Sequence, residues 1–475
     1  MPASLPDFLF HAARRDPERA AVLAPTPWTY ADLARRTLGF ARVLRERGVD
    51  GGRVGLLLPN VPAFPAAFNG ILYAGASAVL LNPLYSPREV GEYLADSGAR
   101  MLVTTSELAA LAPADVEVVL LEEQADEMER GGDPAPLVDS PPTAKDVRAD
   151  EAAVIYTSAM NGWARGARLT HRSLAANLLS VTEAMQVGPG DRVVTLLPLI
   201  HAFGLTVTMN AALAQGAAMV PVERFHPVRL LDLLESSGAT VLCGVPAMYG
   251  AILSAAERRE VPAHALRLAI CGGAPLVGDV AERWEQAFGI PLREGYGLTE
   301  ASPVALFNHF DRPNRRGSMG TAFPGVGVTL RAPGGAQVEP GDVGEICVEG
   351  DNVFAGYVGA DGREPAGFHG NALRTGDLGV ADGDRSIRFR GCIKEMFTRS
   401  GFNIYPRELE RVVQEDPRVF RAVVTAIPDA AKENEIALSV VPAPGAELDE
   451  DAVRQICRDC LAAYKQPGHI SIDID

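Results

Sequence analysis

Short, continuous apolar runs alternate with helix-like segments through the first 300 residues of the chain. "RVGLLLPN" precedes the helical pattern "PAFPAAFNGILYAGA", and "TVLCGV" and "LRLAICGG" are further runs of the same kind. Strands that are apolar on both faces, separated by helices, are typical of parallel sheets covered on both sides. This alternation predicts an α/β fold.

The pattern changes twice towards the C-terminus. From about Gly317, "GVGVTLRAP", "GEICVEG" and "SIRFRG" are short strands joined by turns, which favours an antiparallel, barrel-like unit. Beyond Gly391, a helix opening at Pro406 is followed by strand-like and helical stretches. Because 475 residues exceed what one compact core holds, we expect separate domains.

Charge and cysteine content exclude several classes of protein. The net charge of −16 argues against a nucleic-acid or anionic-membrane surface, since both need a cationic face. No segment reaches about 18 uninterrupted apolar residues, so no membrane span is expected, and the N-terminus lacks a signal-peptide pattern. The six cysteines lie mostly in apolar contexts, which indicates reduced thiols and a cytoplasmic location. The acidic, proline-containing stretch from Glu122 to Glu151 is expected to be a solvated surface excursion.

The segment "IYTSAMNGWARGARLTH" reads as a strand, a small-residue loop and the start of a helix near Thr170. Such a layout directs backbone N–H groups at an anion. Its candidate phosphate contacts are Ser158, Gly162, Arg165 and Gly166. Taken alone, the segment is better explained as an ordinary strand–loop–helix turn.

Two further glycine turns follow strands. In "EGYGLTE", Tyr296 stands between glycines, so backbone can approach a flat ligand and the ring offers a stacking face. Glu300 is a candidate ligand for a hard cation such as magnesium. "ICGGAP" is the second turn, and two turns at strand ends suggest one crevice. The alternative is a strand-ending turn with a buried tyrosine.

Two single residues are also candidates. Asp377 in "RTGDLG" has a carboxylate that is able to accept both hydroxyls of a ribose, although an aspartate there is also a common capping residue. His201 follows an apolar strand in "LPLIHAFG", where a satisfied core histidine is the alternative.

Taken in order, these segments resemble one family, the adenylate-forming enzymes, and within it the acyl-CoA synthetase branch. The matching stretches include "WTYADLARR", "LCGVPAMY", "GDVGEICVEGDNVFAGY" and "SGFNIYPRELE", and they span nearly the whole chain. The resemblance implies an α/β fold whose large N-terminal domain, residues 1–391, has two parallel-rich sheets with flanking helices and a small β-barrel-like subdomain. It also implies a small α+β C-terminal lid domain, residues 392–475, with its hinge near Lys394.

The resemblance implies a two-step reaction with ATP and Mg²⁺. A carboxylic acid, aliphatic or aryl, attacks the α-phosphate to give an acyl-adenylate. The lid then swings, and a thiol of coenzyme A or of a carrier-protein phosphopantetheine takes the acyl group. By the resemblance, Gly273, Ala274 and Pro275 would line the adenine, Tyr296 would stack on it, and Gly297 would belong to the same cofactor-binding turn. Asp377 would bind the ribose, Thr299 a phosphate and Glu300 the magnesium, and His201 would lie between the acyl pocket and the nucleotide.

Three departures from the family pattern concern the same nucleotide. The loop after Thr157 has Ala159, Met160, Asn161 and Ala164 where the family has a glycine, two hydroxyl residues and a proline, and Arg165 replaces a lysine. Cys392 replaces an arginine that assists Asp377. The lysine that neutralises charge during adenylation is not in the printed sequence, and loss of one such stabiliser typically costs about 10²–10³ in rate.

Two hypotheses therefore stand. The first is an ATP-dependent acid–thiol ligase, possessing Thr299, Glu300, Tyr296 and Asp377. The alternative is an adenylation-deficient homologue that binds an acyl or nucleotide ligand, or acts on a preformed acyl-adenylate or thioester. The sequence does not decide between coenzyme A and an acyl carrier protein, and it leaves the oligomeric state open.

Overall fold

A computed structural model gives the fold. It describes residues 4–131, 150–157, 164–259, 261–276, 278–359, 367–393, 396–429, 431–443 and 445–472. The predicted site residues Ser158, Gly162 and Lys394 lie outside these ranges.

The first 170 residues contain all six strands of a six-stranded sheet. Its strand order is β6-β5-β3-β4-β7-β8, and only the β7–β8 pair is antiparallel. The elements in chain order are α1 (Leu5–Arg15), β1 (Ala20–Val22), β2 (Trp28–Thr29), α2 (Tyr30–Glu46), β3 (Arg53–Leu57), α3 (Phe64–Tyr73), β4 (Ser77–Leu80), α4 (Pro87–Ser97), β5 (Met101–Thr104), β6 (Glu117–Leu120), α5 (Ala125–Glu129), β7 (Glu151–Thr157) and β8 (Arg165–Thr170).

The next segment completes a nine-stranded sheet of order β15-β14-β13-β12-β11-β9-β10-β1-β2, parallel from β13 to β1 and antiparallel at both edges. Its elements are α6 (His171–Met185), β9 (Arg192–Thr195), a π-helix (Gly204–Asn210), α7 (Ala211–Gln215), β10 (Ala218–Pro221), α8 (Pro227–Ser237), β11 (Val241–Gly244), α9 (Pro246–Ala256), β12 (Leu268–Cys271), α10 (Val280–Phe288), β13 (Leu292–Gly297), β14 (Val304–Phe307) and β15 (Thr321–Ala322). Every residue of β11 and β12 is buried, as expected for strands covered on both faces.

An antiparallel five-stranded sheet and a small α+β unit follow. The sheet consists of β16 (Val326–Arg331), β17 (Val343–Gly350), β18 (Phe368–His369), β19 (Ala372–Ala381) and β20 (Ile387–Cys392). The unit, called the lid below, consists of β21 (Phe397–Arg399), β22 (Phe402–Ile404), α11 (Pro406–Gln414), β23 (Val419–Asp429), β24 (Glu433–Pro442), α12 (Glu450–Cys460) and β25 (His469–Ile472). The lid has its own core, which includes Leu409, Ile436 and Val453.

The predicted fold class is confirmed: two parallel-rich sheets, an antiparallel subdomain and a small α+β unit are all present. The boundary between residues 391 and 392 stays a prediction, and Cys392 still pairs with Asp377 in the five-stranded sheet. In the described part of the chain, each helix is too short or too polar to cross a bilayer.

The predicted helix start near Thr170 is confirmed, because α6 begins at His171 and is capped by the Thr170 side chain. The segment before it was read as a loop, but Arg165–Thr170 is a strand that pairs antiparallel with β7. Most of the stretch from Glu122 to Glu151, residues 132–149, lies outside the described residues, but the prediction of a solvated stretch is wrong at its last residue. Glu151 is 4% exposed and binds Arg53 and Arg168, so it is a buried ion-pair residue rather than a surface one.

Candidate active site

A cavity of about 1130 Å³ lies between the sheets of the large domain and the lid. Its walls come from the segments that follow β7, β9, β11, β12 and β13, and from lid residues such as Phe402. Ligands of open α/β sheets bind at the carboxyl ends of the strands, so this cavity is the candidate active site.

Asp377 lies at one wall, with both carboxylate oxygens hydrogen-bonded. The Tyr296 hydroxyl donates to Oδ2 at 2.7 Å, and the Cys392 thiol donates to Oδ1 at 2.9 Å. Burial, and then the neighbouring Asp377 charge, raise the pKa of Tyr296 well above its ordinary value, so the phenol stays protonated and donates. Cys392 therefore contacts Asp377 as the family's arginine was expected to, but without a positive charge.

An ion pair between Arg374 and Glu345 holds the Asp377 strand in place. Glu345 is 5% exposed and accepts a hydrogen bond from Arg374 Nε at 2.9 Å and another from the Gly376 N–H at 3.0 Å. The Asp377 N–H donates to the Thr375 hydroxyl at 3.0 Å. The backbone around Asp377 is thus fixed from β17 before any ligand binds.

Glu300 lies opposite, on a single 3₁₀ turn after β13. The Tyr357 hydroxyl donates to Glu300 Oε1 at 2.7 Å, and the Thr157 hydroxyl lies 3.4 Å from the same oxygen. Burial, followed by the charge of Glu300, raises the pKa of Tyr357 and keeps this hydroxyl a donor. The Arg165 guanidinium lies 4.6 Å from the centre of the Tyr357 ring. The Tyr357 side chain therefore contacts a cation at its ring and the Glu300 carboxylate at its hydroxyl.

His201 separates this polar region from the apolar end of the cavity. Burial lowers the pKa of His201 to about 4, so the imidazole is neutral at pH 7. Its ring lies 6.1 Å from that of Phe402 in the lid, and Phe402 stacks on Tyr464 at 4.3 Å. Lid and large domain therefore meet at His201.

The far end of the cavity is apolar. α6, the π-helix and β14 contribute Val181, Met185, Val207, Val304 and Phe307, and Met319 and Phe323 lie beside them. Phe307 and Phe323 stack in parallel at 5.8 Å. Among the described residues, the Arg and Lys side chains that line the cavity belong to β8, β19, β20 and the lid rather than to this apolar wall.

Glu294 is a half-buried acid at the same edge. Its Oε1 accepts the Gly317 N–H at 2.8 Å, and burial raises the pKa of Glu294 from its ordinary 4.5 to about 7. Because the folded state holds the proton more tightly than the unfolded state, Glu294 lowers stability progressively as the pH rises from about 4.5 to 7.

We expect Glu294→Gln to stabilise the protein above pH 7, by about 1–3 kcal/mol at pH 8, with no gain near pH 4.5. The amide oxygen still accepts the Gly317 N–H. Urea unfolding between pH 5 and 8 measures the difference, with Glu447→Gln at an exposed position as the control. A gain in stability that does not depend on pH would contradict this account.

The structure brings most of the predicted site residues to this one cavity. Those that line it are Arg165, His201, Gly273, Ala274, Pro275, Tyr296, Gly297, Thr299, Glu300 and Asp377. Gly166 is not among them: it is buried in β8, where an added Cβ would lie 2.8 Å from Val154 and 2.9 Å from Val358. The roles of the lining residues stay predictions.

Sequence reasoning missed two residues of this region. Tyr357 belongs to the quoted "FAGY" stretch, but no role was inferred for it, although its hydroxyl binds Glu300. Lys465 also lines the cavity. Its position beside Tyr464 in "YKQPG" was the only sequence signal that could have indicated this.

Family comparisons agree with this geometry. The model of the AMP-binding enzyme family matches residues 9–358, and that of the AMP-binding enzyme C-terminal domain matches residues 408–472. The chain belongs to the AMP-binding enzyme family. A feruloyl-CoA synthase from Amycolatopsis sp is 34% identical over 96% of this chain and 92% of its own length. A long-chain-fatty-acid–CoA ligase from Salmonella typhimurium is 32% identical over 98% and 90%.

Solved structures of the same kind share the fold. A malonyl-CoA ligase with methylmalonyl-CoA and AMP bound has a TM-score of 0.82 at 29% identity, covering 96% of both chains. ATP-bound MatB from Rhodopseudomonas palustris has a TM-score of 0.75 at 28% identity, covering 100% of this chain and 95% of its own.

These relatives favour the first of the two hypotheses from the sequence. The chain is an adenylate-forming enzyme of the acyl-CoA synthetase branch, an ATP-dependent acid–thiol ligase. The adenylation-deficient alternative is not favoured.

Proposed function

We propose that this enzyme activates a monocarboxylic acid with a neutral, apolar body, aryl or aliphatic, and transfers the acyl group to coenzyme A. The observation that carries the proposal is the apolar far wall of the cavity, beyond His201. Each buried methylene contributes about 0.8 kcal/mol, so binding strengthens with apolar surface until the wall is reached. A second carboxylate there would be buried without a cation from that wall.

The nucleotide is proposed to bind across Asp377 and Tyr296. A carboxylate oxygen accepts more than one hydrogen bond, so Asp377 is able to bind ribose hydroxyls while keeping its existing partners. Gly273, with a φ of +82°, allows the turn after β12 to approach the base, whereas Gly297 is required by packing, since a Cβ there would lie 2.0 Å from the Pro303 carbonyl oxygen.

Magnesium fits the donor set at Glu300. Within the described ranges, there is no cluster of three or more His, Cys, Asp or Glu able to hold a metal. Mg²⁺ commonly binds through one or two carboxylates together with substrate phosphates. Glu300, held by Tyr357, would supply the carboxylate, and the ion would neutralise phosphate charge there.

The lid arrangement is proposed to be the one used for acyl transfer. The TM-score is higher for the ligase structure with the CoA product and AMP than for the ATP-bound one, at similar identity and coverage. This difference supports the interpretation, as does the placement of Phe402 against His201. We also propose a cytoplasmic enzyme, because the six cysteines are all free thiols.

A substrate panel tests the proposal. Pyrophosphate release and thioester formation are measured with ATP, magnesium and coenzyme A for straight-chain acids of increasing length, cinnamic acids and malonate. We expect kcat/KM to rise about threefold to fourfold per added methylene until the wall is reached, with malonate inactive. The proposal would be contradicted by a preference for malonate. It would also be contradicted if ATP binds but none of the tested acids is turned over.

A further inference from the structure

Lys465 is almost completely buried between two glutamates from different domains. Its side chain is 2% exposed, and Nζ lies 2.6 Å from Glu408 Oε1 in α11 and 2.8 Å from Glu89 Oε1 in α4. The two glutamate side chains are 7% exposed or less. Glu408 belongs to the lid with Lys465, whereas Glu89 belongs to the large domain.

The contact of Lys465 with Glu89 and Glu408 lies in apolar surroundings that both domains contribute. Ala462 and Tyr464 of the lid pack in one apolar cluster with Tyr85, Val90 and Tyr93 of the large domain. Glu408 Oε2 is buried and has no hydrogen-bond partner in the described part of the chain. A lysine that left this position would strand two carboxylates in an apolar interface, so the lid arrangement and the ion contacts depend on each other.

The contact also reaches the active site. Lys465 follows Tyr464 directly, and Tyr464 stacks on Phe402, which faces His201. Arg399 donates to the Tyr464 carbonyl at 2.8 Å, which joins the same segment to β21. A displacement of Lys465 would therefore displace Phe402 from the cavity.

We propose that Lys465 and Glu89 are positioning residues for acyl transfer, holding the lid against α4 so that Phe402 and Tyr464 close the cavity beside His201. The inference rests on the proposed function. It concerns one step of that function, because the Glu89 contact exists only while the lid lies against α4.

Glu89→Gln is the decisive variant. It removes the charge on the large-domain side, leaves the Lys465–Glu408 pair within the lid, and keeps an oxygen able to accept from the Ser86 N–H. The control is Arg88→Gln on the same helix, which removes an exposed ion pair to Glu415 of the lid and is expected to have little effect. Acyl transfer is followed in single turnover from a preformed acyl-adenylate, and adenylation by pyrophosphate release.

For Glu89→Gln we expect transfer to fall at least tenfold and adenylation to change less than about threefold, with both rates within about twofold in Arg88→Gln. Hydrogen–deuterium exchange in residues 461–468 of the lid should become faster in Glu89→Gln but not in Arg88→Gln. Equal losses in both steps, or unchanged transfer and exchange, would overturn the inference. If the unaltered protein makes no thioester from any acyl-adenylate, the proposed function fails, while the exchange comparison still tests the contact.

Discussion

Replacing Gly401 with leucine is expected to slow acyl transfer to coenzyme A by roughly 10²-fold and to change adenylate formation by less than about threefold. Gly401 lies in the turn between β21 and β22 of the lid, with a φ of +81°. A Cβ there would lie 2.7 Å from Val245 Cγ2, in the large domain at the cavity wall. The overlap arises only where the hairpin enters the cleft, so it opposes the present lid arrangement selectively.

The backbone strain needs a separate control. A side chain at positive φ costs about 1–2 kcal/mol in any lid position, and Ser400 beside it already has a φ of 51°. Gly401→Ala in a Val245→Ala background keeps the strain but removes the clash. The double variant should therefore retain most of the transfer rate of the Val245→Ala single variant. If it stays as slow as Gly401→Leu, strain in the hairpin rather than the contact with Val245 is the cause.

The sequence predicted the sheets because their strands are apolar throughout, and a continuous buried strand has few alternatives. It was wrong at β8, where "RGARLTHRSL" runs without a break into the pattern of α6. The pairing of Thr157 with Arg165 makes this segment a strand, and that pairing depends on the hairpin and not on local propensity.

The candidate site was predictable where a glycine turn follows a strand, as at Gly273 and Tyr296. Contacts between distant segments were not. The register of β19 and β20 places Cys392 opposite Asp377, and nothing local to either residue indicates that the thiol donates to the carboxylate. Lys465 and Glu89 are 376 residues apart, and each alone reads as an ordinary surface charge. Their burial follows only from how the lid is placed.

Glu300→Gln is expected to slow pyrophosphate release by about 10²–10³-fold, because it removes the carboxylate proposed to hold magnesium against the phosphates. Tyr357→Phe should slow the same step by about 10-fold to 10²-fold, since a hydrogen bond to a charged group contributes about 1.5–3 kcal/mol. Both variants should raise the magnesium concentration needed for half-maximal rate, and Glu300→Gln should raise it more. Tyr73→Phe, which removes a hydroxyl in α3, is the matched control.

The step that is affected distinguishes the magnesium role from a structural one. Glu300 also accepts a hydrogen bond at its backbone oxygen from Phe354, and glutamine leaves that bond intact. Acyl transfer from a preformed adenylate involves neither pyrophosphate nor its magnesium, so Glu300→Gln should change it by less than about threefold. Equal losses in adenylation and transfer, with an unchanged magnesium dependence, would mean that Glu300 and Tyr357 only support the turn after β13. Selective loss of adenylation would instead place the metal at the one carboxylate that Tyr357 orients.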